Sequence, residues 1–235
     1  MPINTLFVLV HSPLVGGLTW ILVAREMEQR GLDVIVPLLL DTPGSKVPLW
    51  KQHTESVQRM LAHIPESQSI TLVGHSGAGP LLPATRQSIP NSVDAYVFVD
   101  ASLPRDSASR LDLMKAEDPD WAEGFQQHLE RGGHYPDWSA DDLREVIPDE
   151  SLRRQTVAEM RPRGLSFFSE PIPVFQGWPD APCVFILFSA PDQKAAARAK
   201  EEGWPVYEME AGHFHMLVDK TAVTDLIVGA VNKLV

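Results

Sequence analysis

Apolar residues in this chain gather in short unbroken runs instead of the every-other-residue pattern of a half-wetted sheet. LFVLVH at 6–11, DVIVPLL at 33–39, SITLVGH at 69–75, DAYVFVD at 94–100, CVFILFS at 183–189 and PVYEME at 205–210 each read as a strand. Between them the apolar spacing turns helical. LTWILVAREMEQRG at 18–31 carries such a stripe and stops at Gly31, and PLWKQHTESVQRMLAHI at 48–64 carries another. Helix is also expected from 76 to about 88 and over 216 to 234. Short apolar strands alternating with helices predict an α/β fold: a mostly parallel open sheet of about six strands, with helices on both faces. Such sheets place their ligands at the carboxyl ends of the strands.

The alternation breaks between 103 and 173. That stretch is rich in charge, Pro, Trp and Gly, and ASRLDLMKAED, WAEGFQQHLERG, SADDLREVI and DESLRRQTVAEM in it read as short helices. Ser139 and Asp149 are candidate N-caps. The segment is longer than a crossover needs. The expected division is therefore a core of residues 1–102 and 174–235 with a helical lid, 103–173, inserted between strands. A plain set of crossover helices is the alternative.

Composition narrows the possible partners. The chain has 235 residues, 44% of them hydrophobic, enough for a sizeable core. Its net charge of −11 repels a phosphate backbone, so nucleic acid is not expected. No apolar run reaches the roughly eighteen residues of a membrane span. The N-terminus reads as a first strand and not as a secretion signal. A single cysteine, Cys183, excludes an internal disulfide and a cysteine-based metal cluster. A cytoplasmic protein is the default expectation. No P-loop, G-x-G-x-x-G or H-E-x-x-H motif points to nucleotide or metal, and no cofactor is expected.

The stretch ITLVGHSGAGPLLP, 70–83, drives a buried strand into a glycine-rich turn and then a helix. A serine nucleophile needs such a corner. The turn must be tight to push the hydroxyl out, its neighbours must be small, and the helix start supplies free N–H groups for a developing oxyanion. The turn resembles the nucleophile elbow, G-x-S-x-G, of the α/β-hydrolases, with Ser76 as nucleophile. Ala78 stands where the pattern has its last glycine, and Gly79 follows. The bland alternative is a glycine turn in which serine merely caps a helix. The family resemblance implies a triad in the order Ser, Asp or Glu, His. His213, in AGHFHML after the last strand, takes the histidine's place. Asp192, after CVFILFS, is the first candidate for the acid, and Asp100, at the end of YVFVD, is its rival. Either aspartate could equally be a turn or N-cap residue.

HSPLVGGLTW at 11–20 resembles the H-G-x-x-x-G-G-x-x-W stretch of the methylesterase and hydroxynitrile-lyase branch; His11, Gly16, Gly17 and Trp20 match without a gap. The resemblance implies two oxyanion donors, one the N–H of Gly77 and the other two residues past His11. That second position is Pro13, which has no N–H. Three repairs are open: the Leu14 N–H in a shifted loop, the Ser12 hydroxyl, or a reaction without a fully formed oxyanion.

Taken together, a serine hydrolase is expected, acting on an ester, lactone or thioester of a medium-sized apolar small molecule. The lid would contribute Trp121, Phe125, His128, His134, Tyr135, Trp138, Phe167 and Phe168, most of them as its own core. The alternatives are a lyase or cyclase that uses the same residues for proton transfer, and a ligand receptor without turnover. The sequence leaves the oligomeric state open.

Overall fold

The computed structural model describes residues 5–234; residues 1–4 and 235, which the expected domain division includes, lie outside the described residues. Strands β1 (Leu6–Val10), β2 (Val34–Ile35), β3 (Ile70–His75), β4 (Val93–Val99), β5 (Cys183–Leu187) and β6 (Val206–Glu208) form one sheet in the order β2-β1-β3-β4-β5-β6. Every pairing is parallel. Helices α1 (Leu18–Gln29), α2 (Leu49–Leu61) and α3 (Leu82–Ser88) follow β1, β2 and β3. Between β4 and β5 lie α4 (Arg110–Glu117), α5 (Pro119–Glu130), α6 (Glu150–Ala158) and the single turn α7 (Leu165–Phe168). Helices α8 (Gln193–Glu201) and α9 (Lys220–Val231) complete the fold.

The lack of alternation in the strands has a direct cause. Successive side chains of a strand point to opposite faces, and here both faces are core. Leu6, Val8 and Val10 join Tyr96, Phe98 and Phe185 in a cluster packed on α2, α3 and α8. Phe7 and Leu9 join Val97, Val99, Val184 and Ile186 in a second cluster packed on α1 and α9.

One strand and one expected helix fall well short of their sequence runs. β2 ends at Ile35 because Pro37 cannot donate to the ladder. The chain then turns over its neighbours, with the N–H of Leu39 on His11 Nε2 and that of Leu40 on the Ser56 hydroxyl. SADDLREVI makes turns instead of a helix. Ser139 and Asp142 exchange the bonds of a helix start, but Pro148 follows too soon for a nucleus to propagate. Asp149, by contrast, caps α6 by accepting the N–H of Leu152.

The segment between β4 and β5 packs in two directions. Phe125, Leu129, Phe167 and Phe168 form their own aromatic cluster with Leu111, and Leu14 and Leu49 of the core lean on it. Leu143 and Ile147 are instead buried in the cluster beneath α1 and α9. Charged side chains lash this segment to the core. Glu170 accepts the N–H groups of Leu49 and Trp50 at the start of α2, Glu159 accepts that of Leu18 at the start of α1, and Arg163 pairs with Asp41. Carboxylates at helix N-termini meet both unpaired donors and the positive end of the dipole. Among the described residues no helix is long and apolar enough to cross a membrane.

Candidate active site

Ser76 sits where β3 ends and a tight 3₁₀ turn, Ser76–Leu81, begins. Its φ is +55°, a conformation non-glycine residues seldom adopt, and the side chain is partly exposed. Among the described residues its hydroxyl has no hydrogen-bond partner. The crowding that requires glycine falls one residue beyond the expected place. A side chain at Gly79 would run into the Ser102 carbonyl oxygen, whereas Ala78 fits, fully buried, in the core.

One strand across, Asp100 follows β4 with a φ of +44° and is completely buried. Its carboxylate is saturated. Oδ1 accepts the N–H groups of Phe188 at 2.8 Å and Ser189 at 2.9 Å. Oδ2 accepts the Ser189 hydroxyl at 2.5 Å and His213 Nδ1–H at 2.7 Å. Burial alone would raise its pKa, but the bond and charge of His213 and the two donors of Ser189 outweigh it, and the pKa lies below the ordinary value.

His213 follows β6. Burial works against its charged form, but the Asp100 bond and charge, aided by the charge of Asp192, raise its pKa. With Nδ1–H engaged, Nε2 is the nitrogen left to take a proton. The backbone of His213 is held as well: its carbonyl accepts Nε2–H of His75 at 2.9 Å, and the two rings are 4.6 Å apart. His75 immediately precedes Ser76 and is fully buried; burial, followed by the nearby His213, pushes its pKa down to about 3, so it stays neutral. That tie brings the His213 segment to the serine turn. His215, two residues on, packs edge-on to Phe188, 6.0 Å away.

Asp192 precedes α8 and lies farther off, its Oδ2 3.7 Å from His213 Nδ1. It occupies the N-cap position of α8 without making the cap bond. Burial and the Asp100 charge raise its pKa to about 7, against the pull of His213. The imidazole thus hydrogen-bonds the aspartate after β4, not the one after β5. Asp100, Asp192 and His213 offer ligand atoms within 4.8 Å of one another, as a cation requires. The four donors on Asp100 fill the roughly four acceptor positions of a carboxylate, so the set does not fit a metal.

The first turn closes the other side. Nδ1–H of His11 donates to the Ser12 carbonyl at 2.8 Å and Nε2 accepts the N–H of Leu39 at 3.2 Å. Burial holds His11 neutral, with a pKa of about 4. Trp20 Nε1–H donates to the Val10 carbonyl, and its ring stands edge-on to His75. The Ser12 hydroxyl lies beside Gly77, 3.1 Å from where a Cβ on that glycine would sit. It accepts the Leu14 N–H at 3.4 Å, so its own proton is available to donate. Of the aromatics expected over the site, Phe125, Phe167 and Phe168 are buried in their own cluster, and Trp121 stacks on Phe125 but is half exposed. Tyr135 packs edge-on to Phe125, Phe168 and Trp138. Trp138 reaches Phe214, next to His213. His128 and His134 lie at the exposed surface.

Ser189 and His75 drew no attention in the sequence. A serine at a strand end has no signature, and His75 could have been singled out only by its place between Gly74 and Ser76.

A tight strand-to-helix serine corner, an Asp–His pair joining the carboxyl ends of β4 and β6, and a parallel sheet define the α/β-hydrolase class, and a family profile of alpha/beta hydrolases matches residues 7–226. The chain belongs to that family. Its sequence relatives include Methylesterase 1 of Arabidopsis thaliana, 31% identical over 104 residues, which are 42% of this chain and 40% of the relative. Polyneuridine aldehyde esterase of Rauvolfia serpentina is 27% identical over 107 residues, 42% and 39% of the two chains. The matched stretch is thus less than half of either relative, and these likenesses set the chain beside the methylesterase-like branch. Among solved structures, an extracellular α/β-hydrolase from a Paenibacillus species superposes with a TM-score of 0.76 at 19% identity, covering 96% of this chain and 98% of that one. Tomato Methylketone Synthase I with 2-tridecanone gives 0.74 at 18% identity, over 99% and 100%. A pyrethroid hydrolase of Sphingobium faniae gives 0.72 at 20%, over 97% of each. These three likenesses concern the fold.

Proposed function

We propose that the protein is a serine hydrolase that transfers the acyl group of a medium-sized apolar ester, lactone or thioester to water. Ser76 is the nucleophile, His213 the base and Asp100 the acid that fixes the ring and stabilises the imidazolium. The carrying observation is the double hold on His213, with its ring on Asp100 and its carbonyl on the residue before Ser76. Strain at Ser76 and Asp100, on adjacent strand ends, supports the same assignment.

In this reading His213 Nε2 takes the Ser76 proton as Oγ attacks the acyl carbon. The alcohol or thiol departs with that proton, and water, deprotonated by the same nitrogen, releases the acid. The oxyanion is met by the Gly77 N–H and, in place of the amide that Pro13 lacks, by the Ser12 hydroxyl polarised by Leu14 N–H. Residues 103–173 act as a lid whose aromatic cluster shapes the pocket. The reading places the protein in a reducing cytoplasm, where the buried Cys183 stays a thiol. A fluorophosphonate probe should label Ser76, seen by mass spectrometry of its peptide, and Ser76→Ala should abolish both labelling and ester turnover. Unlabelled Ser76 in folded protein would overturn the assignment.

Two observations favour a second reading. Pro13 weakens the oxyanion site, and one fold neighbour is named a synthase. In that case Ser76 and His213 relay a proton without acylation, and no acyl-enzyme accumulates on rapid quenching.

A further inference from the structure

The site holds two acids where the reaction needs one. Asp100 does all that an orienting acid does: it is buried, saturated with donors and bonded to Nδ1 of His213. Asp192 is redundant for orientation, and two observations show that it is not a bystander. It stands at the N-cap position of α8, the commonest structural use of an aspartate, yet its side chain makes no cap bond. That side chain turns instead to the pair, leaving its Oδ2 3.7 Å from His213 Nδ1 with only 16% of the side chain exposed. A charge so placed acts without a hydrogen bond, because few solvent molecules separate it from the ring.

We propose that Asp192 is a positioning residue for His213, a second carboxylate set beside the imidazole to face the imidazolium that forms on the base Asp100 orients. This inference rests on the reading of His213 as the base. Its consequence is a trade. With Asp192 ionised, the imidazolium formed as Ser76 attacks meets two negative charges instead of one, so the base is stronger. The same charge keeps a proton on the resting ring to higher pH, where the ring cannot act. Asp192 itself is held up at about 7 by burial and by Asp100, so its charge, and with it the pull on the ring, is lost as pH falls through that value. The titratable neighbours are few. His213 faces Asp100 from the end of β4, Asp192 from the start of α8 and neutral His75 from the end of β3. Asp192 faces Asp100, His213 and Glu117 of α4, and its charge is felt by the Tyr135 hydroxyl of the 103–173 segment.

The test reads His213 directly. Its imidazole titration is followed by ¹H–¹⁵N NMR in the wild type and in Asp192→Asn, with His213→Asn to assign the signals. Removing the charge should lower the apparent pKa of His213 by about half a unit or more and turn a broad, two-step titration into a single step. The acid limb of the rate of Ser76 labelling should move to lower pH by the same amount, while the plateau falls a few-fold. Asp192→Ala removes the same charge and should shift the limb equally. An unmoved His213 titration would overturn the proposal, as would shifts that differ between Asn and Ala. So would complete loss of labelling in folded Asp192→Asn, which would make Asp192 the essential acid. If wild-type Ser76 resists the probe while the His213 shift is present, the hydrolase reading fails and the electrostatic coupling stands.

Discussion

His75 donates Nε2–H to the carbonyl oxygen of His213 at 2.9 Å, tying the residue before Ser76 to the one that carries the imidazole. Two segments 138 positions apart are thereby held in one geometry, independently of the ring's own bond to Asp100. Substituting His75→Leu keeps the ring's bulk but removes the donor. Because a misplacement of 1 Å can cost roughly 10²-fold in rate, kcat should fall by about 10–10² with KM little changed. His75→Gln, whose amide can donate from nearly the same place, should recover part of the loss. Steady-state kinetics on a nitrophenyl ester separates the two parameters.

Ser189 supplies two of the four donors on the buried Asp100 carboxylate. Ser189→Ala deletes the hydroxyl and leaves the amide. A buried charge that loses one hydrogen bond should destabilise the fold by about 1.5–3 kcal/mol, read from urea unfolding at pH 7. The sign with pH follows from the depressed pKa of Asp100: its contribution is full above the ordinary carboxylate pKa and fades as pH falls through the folded value. The variant raises that folded value, so the gap between wild type and Ser189→Ala should narrow as the solution is acidified.

Ser12 tests the repaired oxyanion site. Its hydroxyl lies beside Gly77 and accepts the Leu14 N–H. If it is the second donor, Ser12→Ala should lower kcat by ~10²-fold, the usual loss for one such donor, and Ser12→Thr should retain most activity. An unchanged rate in Ser12→Ala would assign the oxyanion to other groups.

Asp41 links the loop after β2 to the 103–173 segment through Arg163 and also accepts His53 Nε2–H at 2.7 Å. Burial raises its pKa, but His53 and Arg163 outweigh that and bring it to about 2. The stabilisation it contributes is therefore complete above about pH 4 and is lost as pH falls towards 2. Asp41→Asn should lower the melting temperature at pH 7 and lose less on acidification than the wild type does. Thermal melts from pH 7 to pH 2.5 check both.

Glu170 should be the stronger tether of the same segment, since its two oxygens take the first two N–H groups of α2. Glu170→Ala should speed hydrogen exchange at Leu49 and Trp50 and cost about 1 kcal/mol, as the loss of a cap does.

Much of this protein is legible along the chain because it depends on local rules. Strands buried on both faces have to be apolar throughout, so LFVLVH, YVFVD and CVFILFS announce a parallel sheet before any contact is known. The corner at Gly74–Gly79 is legible because tightness demands small residues, and His213 because a glycine turn follows the last strand. Pro37 ends β2 and Pro148 keeps SADDLREVI from becoming a helix, and an attentive reading of proline would find both. Which aspartate meets His213 is a different kind of question. Asp100 and Asp192 both end strands, lie on neighbouring positions of the sheet and carry the same chemistry. Only the folded chain, which turns the Ser189 hydroxyl and two amides onto Asp100 and leaves Asp192 Oδ2 3.7 Å from the ring nitrogen, makes one a bonded partner and the other a nearby charge. Sequence specifies what each side chain can do; three-dimensional closure decides which oxygen is within 2.7 Å of Nδ1, because that distance is the sum of a strand register, a turn and a rotamer set far apart in the chain.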